Sequence, residues 1–460
     1  MTSHRDRFDI AIIGGGVVGC ALFRRFALGG LRTVLLERGT DILSGASKAN
    51  SAMLHTGFDA PTGSIEQVCV QAGCAEYLAI REKLNLPLLQ TGGLMVAWTQ
   101  AELNRLPAVV AQAHANGVMD VHQVDAAEIR RREPHLTTDA LGGVVVPGEH
   151  IIDPWSAPLA YALQGLAAGG EIRRRCELRS GALDGETWQL ATTGSPVEAR
   201  IVINAAGLRG DLVEAMARPS PFAIKPRKGQ FVVFDKPAAR LITASIMPVP
   251  SERTKGVMLA RTIFGNLLVG PTAEEQDDRE HAEMDQAQVE ALIARARRML
   301  PDLAGENVNA LYAGLRPATQ FKDYQIEALP TRNWISVAGI RSTGLTGALG
   351  IAKHVAALYR HFGALKNHSE AVCTPVPNLA EDRPRRHQKP GYGRMVCHCE
   401  LVTEVEIEAA FTGPLPAGDL GGLKRRTRCM MGRCQGFYCS ARIAAIAAGR
   451  LPDLPGPSAR

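Results

Sequence analysis

The sequence predicts an α/β protein with three parts: a parallel sheet flanked by helices, an inserted antiparallel sheet, and a small helical domain at the C-terminal end. An apolar strand, a glycine-rich turn and a helix at residues 8–30 indicate the first part. Apolar runs at 229–234 and 257–270 are typical of strands in a separate sheet. A proline-rich segment at 373–394 then separates these two parts from a cysteine-rich tail. At 460 residues, two or three domains are expected.

The N-terminal segment has the order strand, turn, helix, strand. FDIAII is followed by GGGVVG, in which Gly14 makes the tight turn, Gly16 lets the backbone approach a pyrophosphate and Gly19 lets the helix pack on the strand. The N-terminus of that helix favours phosphate groups. Glu37 ends the second strand, RTVLLER, where a carboxylate accepts a hydrogen bond from a ribose hydroxyl. These features predict a Rossmann-like domain that binds a dinucleotide.

Three later segments have the composition of contacts to a flavin. Residues 45–57 are rich in small and hydroxyl side chains, 203–207 end a strand in small residues, and 338–352 contain a strand, a glycine-rich turn and a helix. The N-terminus of that last helix, near Thr346, would stabilise negative charge on a reduced flavin. Because GxGxxG occurs once, we expect FAD without a nicotinamide cofactor. The remaining predicted FAD residues are Arg38, Ser47, Asn50, Ser51, Ala206, Gly207, Gly344 and Leu345.

Composition and charge exclude few classes of function. Apolar residues make up 46% of the chain, and the net charge of +6 permits an anionic partner without requiring one. No nucleic-acid partner is expected. The sequence has no run of about 18 apolar residues and no room for a signal peptide before its first strand. We therefore expect a cytoplasmic protein whose contact with a membrane, if any, is peripheral.

Local signals also predict individual helices. Residues 283–300 have the spacing of an amphipathic helix. Asp153 is predicted as the N-cap of another helix, with Pro154 at its first position. In the tail, Thr403 and Glu406 fit a capping box.

Five of the ten cysteines lie in the tail, in two short motifs. VCHCE contains Cys397 and Cys399, and RCMMGRCQGFYC contains Cys429, Cys434 and Cys439. Four thiolates from two loops suit a [2Fe-2S] cluster, although four also suit a zinc ion. A cluster beside a flavin implies electron transfer; a docking or iron-handling module off the electron path is the alternative. Five basic residues near the second motif would either dock an acidic partner or compensate a negative cluster: Lys424, Arg425, Arg426, Arg428 and Arg433.

Several motifs together resemble one enzyme family. The glycine fingerprint, SKANSAMLHTG, YAGLRPAT, DYQIE and GIRSTGLTG are similar to the glycerol-3-phosphate dehydrogenase and 2-hydroxyglutarate oxidase branch of D-amino-acid-oxidase-like, FAD-dependent oxidoreductases. KRRTRCMMGRCQGFYC resembles the BFD-like (bacterioferritin-associated-ferredoxin-like) [2Fe-2S] domain. The resemblance implies that the cluster ligands are Cys397, Cys399, Cys434 and Cys439, and a set that includes Cys429 stays open.

The resemblance also implies domain bounds. The FAD-dependent oxidoreductase unit spans 1–372, the linker 373–394 and the BFD-like domain 395–460. Within the first unit, the expected FAD-binding segments are about 1–90, 150–215 and 326–372, and the expected substrate segments are about 91–149 and 216–325.

Oxidation of a secondary alcohol by a flavin needs a base for the hydroxyl proton and a cation for the anionic end of the substrate. Arg316 is the first candidate cation, since a guanidinium binds carboxylate or phosphate bidentately, and Arg341 is the second. Each could instead form a structural salt bridge. His55, after the flavin loop, is the candidate base, with a structural role or a covalent link to the flavin as alternatives. His150 and Lys228 are weaker candidates.

The expected function is oxidation of a small anionic 2-hydroxy compound, first of all sn-glycerol 3-phosphate to dihydroxyacetone phosphate. The loop NSAMLHTGFDAPTGSIE is nearer the 2-hydroxyglutarate pattern, so L-2-hydroxyglutarate is the main alternative and an amino acid or amine the third. Because transfer to oxygen needs no cluster, we expect a dehydrogenase that passes electrons to partner subunits or a quinone.

Overall fold

The computed structural model describes residues 6–250, 256–365 and 374–451, so that Cys373 and both ends of the chain lie outside the described residues. The strands are β1 (Asp6–Ile13), β2 (Thr33–Leu36), β3 (Met53–Leu54), β4 (Leu88–Leu89), β5 (Gly93–Ala97), β6 (His122–Asp125), β7 (Gly142–Val146), β8 (His150–Ile152), β9 (Glu171–Arg173), β10 (Leu178–Asp184), β11 (Thr187–Thr192), β12 (Val197–Asn204), β13 (Lys225–Phe234), β14 (Ser245–Pro248), β15 (Met258–Arg261), β16 (Leu267–Gly270), β17 (Glu274–Glu275), β18 (Val308–Ala318), β19 (Gln325–Leu329), β20 (Trp334–Ala338), β21 (Met395–Cys397) and β22 (Val402–Thr403). The helices are α1 (Val17–Leu28), α2 (Ile65–Ile80), α3 (Gln100–Leu103), α4 (Leu106–Ala115), α5 (Ala126–Arg132), α6 (Ser156–Ala167), α7 (Gly210–Glu214), α8 (Gln286–Met299), α9 (Gly344–Leu358), α10 (Glu404–Ala409), α11 (Leu420–Thr427) and α12 (Ser440–Ala447). Among the described residues, no helix is long and apolar enough to cross a bilayer.

The first sheet has a parallel centre, in the order β9, β2, β1, β12, β20, to which β11 and β19 add antiparallel strands. Successive side chains of β1 point to opposite faces. Ile10 and Ile12 pack with the helices α1, α2, α6 and α9, whereas Ala11 and Ile13 belong to the core on the other face. The predicted Rossmann-like arrangement of a parallel sheet and helices is confirmed.

The second sheet has nine strands and runs β17, β13, β16, β15, β14, β5, β7, β6, with β18 also paired to β13. It is antiparallel, as predicted, except that β14 pairs with β5 in parallel. The exception arises because the chain leaves this sheet after β7, builds much of the first sheet, and then returns. Val289 and Leu292 of α8 pack against one face, and Leu106 and Ala113 of α4 against the other.

Helix α6 begins at Ser156, so the prediction that it starts at Pro154 is wrong. Asp153 still satisfies two backbone groups before the helix, since its Oδ1 accepts the N–H groups of Trp155 at 2.9 Å and Ser156 at 3.2 Å. The side chain thus closes a turn that delays the helix by one or two residues, which is the usual uncertainty of a helix start.

The tail is a small helical domain around its own core. Helices α10, α11 and α12 enclose Ile407, Leu423 and Ile443 together with Cys397 and Cys439. The predicted capping box at the start of α10 is present, with Thr403 and Glu406 bonding each other's backbone N–H groups. The cysteine motifs therefore belong to a folded unit with its own apolar centre.

Candidate functional site

A cavity of about 510 Å³ is lined by residues of both large sheets. It extends from the glycine turn after β1 to Arg316 on β18 and Arg341 after β20. Of the residues predicted to bind FAD, all but Gly19 and Thr346 lie in its wall. The sequence segments predicted to contact a flavin therefore meet around one space.

The glycine turn has the backbone that a bound diphosphate needs. Gly14 has φ +110°, and a Cβ there would lie 2.6 Å from the carbonyl oxygen of Ala205. A Cβ on Gly19 would lie 1.8 Å from the Gly14 carbonyl oxygen, so this glycine packs α1 on β1 instead of lining the cavity. Helix α1 begins at Val17, whose N–H donates to the hydroxyl of Ser47 at 3.0 Å, and Gly16, its N-cap, has no side chain to cap it. The positive end of the helix dipole favours an anion at this position.

Glu37 is held at the end of β2 by backbone donors. Its Oε2 accepts the N–H of Gly15 at 2.7 Å, and its Oε1 accepts the N–H of Gly39 at 2.6 Å. Arg38, also in the wall, pairs with Glu280 at 2.8 Å. Arg38 and then Arg209 lower the pKa of Glu280 to about 2. Together with the uncapped helix, these groups fit the diphosphate and ribose of FAD.

A second uncapped helix lies at the other end of the cavity. Thr343 gives α9 no side-chain cap, and the first helical residues, Gly344 and Leu345, lie in the wall. The next residue, Thr346, is buried, and its hydroxyl donates to the carbonyl oxygen of Met53 at 3.1 Å. The hydroxyl also accepts the N–H of His55 at 3.0 Å. Thr346 therefore holds the His55 segment against α9.

His55 is not among the residues that line the cavity, although its segment is bound to Thr346, which follows the wall residue Leu345. Its ring is bound by a carboxylate that the sequence did not predict. Its Nδ1 lies 2.7 Å from Oε2 of Glu149, whose side chain is 0% exposed. The other oxygen of Glu149 accepts the backbone N–H of Thr56 at 2.7 Å and its hydroxyl at 2.9 Å. Since a carboxylate accepts, this contact favours the tautomer of His55 that carries its proton on Nδ1. No local signal distinguishes Glu149, because its partner is 94 residues away in sequence.

Arg316 is a half-buried cation held by backbone carbonyl groups. Its Nη2 donates to the carbonyl oxygens of Thr272 at 2.6 Å and Lys228 at 3.0 Å. In the part of the chain that the structure describes, no carboxylate lies within ion-pair distance of it. Burial first, and then Arg227 and Arg341, lower the pKa of Arg316 to about 10, so that it stays charged at neutral pH. The charge of Glu274 opposes this shift from beyond ion-pair distance. A half-buried, charged guanidinium bonded to backbone carbonyl groups in a cavity wall is suited to an anionic ligand.

The other candidates differ in their pairing. Arg341 lies in the same wall, and its Nη1 donates to the carbonyl oxygen of Lys322 at 3.0 Å. Lys228 forms an ion pair with Glu274 at 3.2 Å, which leaves it less available to a ligand. Burial lowers the pKa of His150, so this imidazole is neutral at physiological pH.

The two cysteine motifs of the tail lie close enough for their thiols to interact. Cys399 interacts mainly with Cys434, and Cys439 interacts with Cys397 and also with Cys429. The pKa of Cys434 is lowered, above all by a hydrogen bond from the backbone N–H of Tyr438. Hydrogen bonds to the sulfurs are also a feature of iron–sulfur clusters, whose potential they adjust.

Four cysteine thiols commonly hold a [2Fe-2S] cluster, and the predicted ligands Cys397, Cys399, Cys434 and Cys439 supply four. The fifth thiol, Cys429, is in the tail core at 0% exposure, and burial raises its pKa to about 11. The described cysteines outside the tail are buried free thiols, as predicted: Cys20, Cys69, Cys74 and Cys176.

Comparison with known proteins agrees with both parts of the site. The sequence profile of the FAD dependent oxidoreductase family (DAO) matches residues 9–358, and that of the BFD-like [2Fe-2S] binding domain matches 395–448. Glycerol 3-phosphate dehydrogenase of Caloramator mitchellensis is 30% identical over 453 residues, which are 96% of this chain and 94% of that protein. One subunit of the anaerobic glycerol-3-phosphate dehydrogenase of Haemophilus influenzae is 25% identical, over 95% of this chain and 84% of its own length.

The fold has a counterpart among solved structures. The structure of dithionite-reduced L-alpha-glycerophosphate oxidase from Mycoplasma pneumoniae, with FAD bound, matches with a TM-score of 0.74 at 24% identity, over 81% of this chain and 99% of that one. With the family profile matched over most of the chain, the cavity, the glycine turn and the neighbouring thiols have one explanation. The chain belongs to the FAD dependent oxidoreductase family and carries a BFD-like [2Fe-2S] binding domain behind its catalytic unit.

Proposed function

We propose that this enzyme oxidises sn-glycerol 3-phosphate to dihydroxyacetone phosphate and passes the electrons through its [2Fe-2S] domain to partner subunits or a quinone. The observation that carries the proposal is the pair Arg316 and Arg341 in the wall of the FAD cavity, with no carboxylate against Arg316 among the described residues. A guanidinium binds a phosphate through two parallel, charge-assisted hydrogen bonds. The names of the relatives from C. mitchellensis and H. influenzae support the same substrate.

Each side chain of the proposed site has its own role in the reaction. Arg316 and Arg341 hold the phosphate, which orients the C2 carbinol. His55 takes the hydroxyl proton at Nε2, and Glu149 stabilises the imidazolium that forms. When bound, FAD supplies the acceptor for the hydrogen that leaves C2. The substrate loses two electrons and two protons, which leaves a ketone.

The tail supplies a one-electron route away from the catalytic unit. We assign the cluster to Cys397, Cys399, Cys434 and Cys439, the four positions implied by the resemblance to the BFD-like domain, whose profile matches residues 395–448. The H. influenzae relative is named as one subunit of its enzyme, which supports other subunits as the electron acceptors.

Replacing Glu149 with glutamine should weaken the base without removing it. The amide no longer stabilises a protonated His55, so the acidic limb of the pH profile of kcat/KM should move to lower pH. We expect the limiting rate of flavin reduction to fall roughly tenfold, which corresponds to a loss of about 1.4 kcal/mol of transition-state stabilisation. The pH profile of flavin reduction measures both effects. Thr56→Val is the matched control, because it removes another hydrogen bond to Glu149 and keeps the bond to His55. An unchanged pH profile in E149Q would contradict the role of Glu149.

The proposed substrate is tested by anaerobic titration of the iron-replete protein, followed by visible absorption. Glycerol 3-phosphate should bleach the flavin and then the cluster, whereas glycerol should bleach neither because it has no anion for Arg316. Bleaching by L-2-hydroxyglutarate alone would refute the proposed substrate and identify the alternative. Stoichiometric hydrogen peroxide from protein without a cluster would refute the proposed route of the electrons.

A further inference from the structure

Residues 37–45, which follow β2, form one side of the FAD cavity. Glu37, Ser44 and Gly45 lie in its wall. The segment is tied together by Glu37, whose Oε1 accepts the N–H of Gly39 at 2.6 Å and the hydroxyl of Ser44 at 3.2 Å. It is tied to the glycine turn by the N–H of Leu43, which donates to the carbonyl oxygen of Gly15 at 2.9 Å. The position of this loop therefore determines the position of the carboxylate predicted to hold the ribose.

The cluster-binding tail also binds this loop, through tail residues that lie outside the cavity wall. Arg426 forms a bidentate ion pair with Asp41, at 2.5 and 3.0 Å, and the Asp41 side chain is 0% exposed. The N–H of Gly418 donates to the same carboxylate at 3.1 Å. Arg425 donates to the carbonyl oxygen of Ile42 at 3.0 Å. A tail residue thus binds each of two successive loop residues, and the central contact is a buried charge pair.

The tail backbone lies directly against this loop. A Cβ on Gly418 would lie 1.9 Å from the carbonyl oxygen of Thr40, and a Cβ on Gly422 would lie 1.8 Å from Oδ2 of Asp41. The hydroxyl of Thr40 donates to Asp419 at 2.5 Å. Asp419 also caps helix α11 by accepting the N–H of Gly422. The start of α11 and the loop are therefore fitted to each other at atomic contact.

We propose that the [2Fe-2S] tail is a structural part of the FAD site: through Arg426 and Asp41 it positions residues 37–45, so that the affinity for FAD depends on a folded tail. Asp41 and Arg426 are positioning residues, since they lie outside the cavity wall and act through Glu37. Replacing Arg426 leaves the buried Asp41 carboxylate with Arg174, at 3.5 Å, as its remaining cation, and the loop must move to compensate for the lost bidentate contact.

The proposal links the two cofactors. The tail has a small core, and metal binding contributes directly to the folding of small metal-binding domains. Loss of the cluster should therefore loosen the tail, free the loop and weaken FAD binding. The enzyme would then lose its flavin together with the route by which the flavin passes on its electrons.

The test is the dissociation constant of FAD, measured by the fluorescence of released flavin on dilution of the holoprotein. Arg426→Met should raise that constant at least tenfold. Arg442→Met is the matched control, because Arg442 forms an exposed ion pair with Glu404 in the same tail, and it should leave the constant unchanged. The constant is measured without substrate, so the result does not depend on whether glycerol 3-phosphate is the substrate. A constant within twofold of wild type in R426M would overturn the proposal.

A second variant separates positioning from simple unfolding of the tail. Asp41→Asn replaces the loop residue of the pair and leaves every tail residue unchanged. The visible spectrum of the cluster then checks that the tail is still folded. D41N should raise the FAD constant as R426M does, and the double variant should be no worse than either single one, because both remove the same contact. Additive effects would overturn the proposed pair. Removal of the cluster from wild-type protein with a chelator should release FAD, and full retention of FAD would overturn the link between the cofactors.

Discussion

Replacing His55 with asparagine is expected to lower the rate of flavin reduction by about 10²- to 10⁴-fold, the usual contribution of a general base. Asparagine fills much of the same space and can still bond to Glu149, but it cannot take a proton at neutral pH. The measurement is rapid anaerobic mixing of the variant with saturating glycerol 3-phosphate, with the bleaching of flavin as the signal. The affinity for substrate should change little, because the anion is held by other residues.

A second histidine of the chain provides the control. His135 makes the same kind of contact, with Nδ1 2.7 Å from Asp302, but its side chain is 44% exposed on the surface. His135→Asn should reduce flavin at the wild-type rate. A rate in H55N above one tenth of wild type, with FAD bound in full, would show that another group takes the proton.

Local signals were sufficient for much of the fold. The strand, turn and helix at Gly14 to Gly19 depend on residues within a short span, and so does the capping box at Thr403. The amphipathic spacing at 283–300 likewise predicted α8, because the spacing of apolar residues within one helix is enough to produce that pattern. These elements could be predicted because neighbouring residues determine them.

Pairings between distant residues could not be predicted in this way. Glu149 is an ordinary turn residue in the sequence, and only the fold brings it to His55. The parallel pairing of β5 with β14 depends on where the chain returns after building another sheet. Arg426 and Asp41 are 385 residues apart in the sequence, where each reads as an ordinary charged surface residue. Only the contact between the tail and the loop brings them together.

The basic residues of the tail illustrate the same limit. Their clustering indicated either a docking patch for an acidic partner or compensation of the cluster. In the structure, Arg426 binds Asp41, and Arg428 is buried in an ion pair with Glu400 at 2.9 Å. Arg428 also lies 3.8 Å from the ring centre of Phe264 in the second sheet unit. These two arginines form contacts within the tail and between the tail and the catalytic unit, so the hypothesis of a docking patch is wrong for them.

Replacing Arg316 with methionine should remove the main anchor of the substrate. Methionine keeps the apolar length of the side chain and loses the charge, the carbonyl contacts and the bidentate bond to phosphate. Truncating one partner of a buried, hydrogen-bonded charge pair costs about 2–5 kcal/mol. That corresponds to a loss in kcat/KM of roughly 30- to 5,000-fold. Steady-state kinetics with glycerol 3-phosphate should show a raised KM, and a lower kcat as well if the phosphate orients C2.

The control is the neighbour of Arg316 across the sheet. Arg227 on β13 lies opposite Arg316 on β18, but it already forms an ion pair with Glu275 at 2.9 Å. Arg227→Met should therefore leave KM within a few-fold of wild type. If Arg316 holds the anion, R316M should also lose most of the preference for glycerol 3-phosphate over glycerol, because Arg341 is then the one proposed cation left for the phosphate. An R316M enzyme that keeps this preference in full would place the phosphate elsewhere in the cavity, with Arg341 as the next cation to replace.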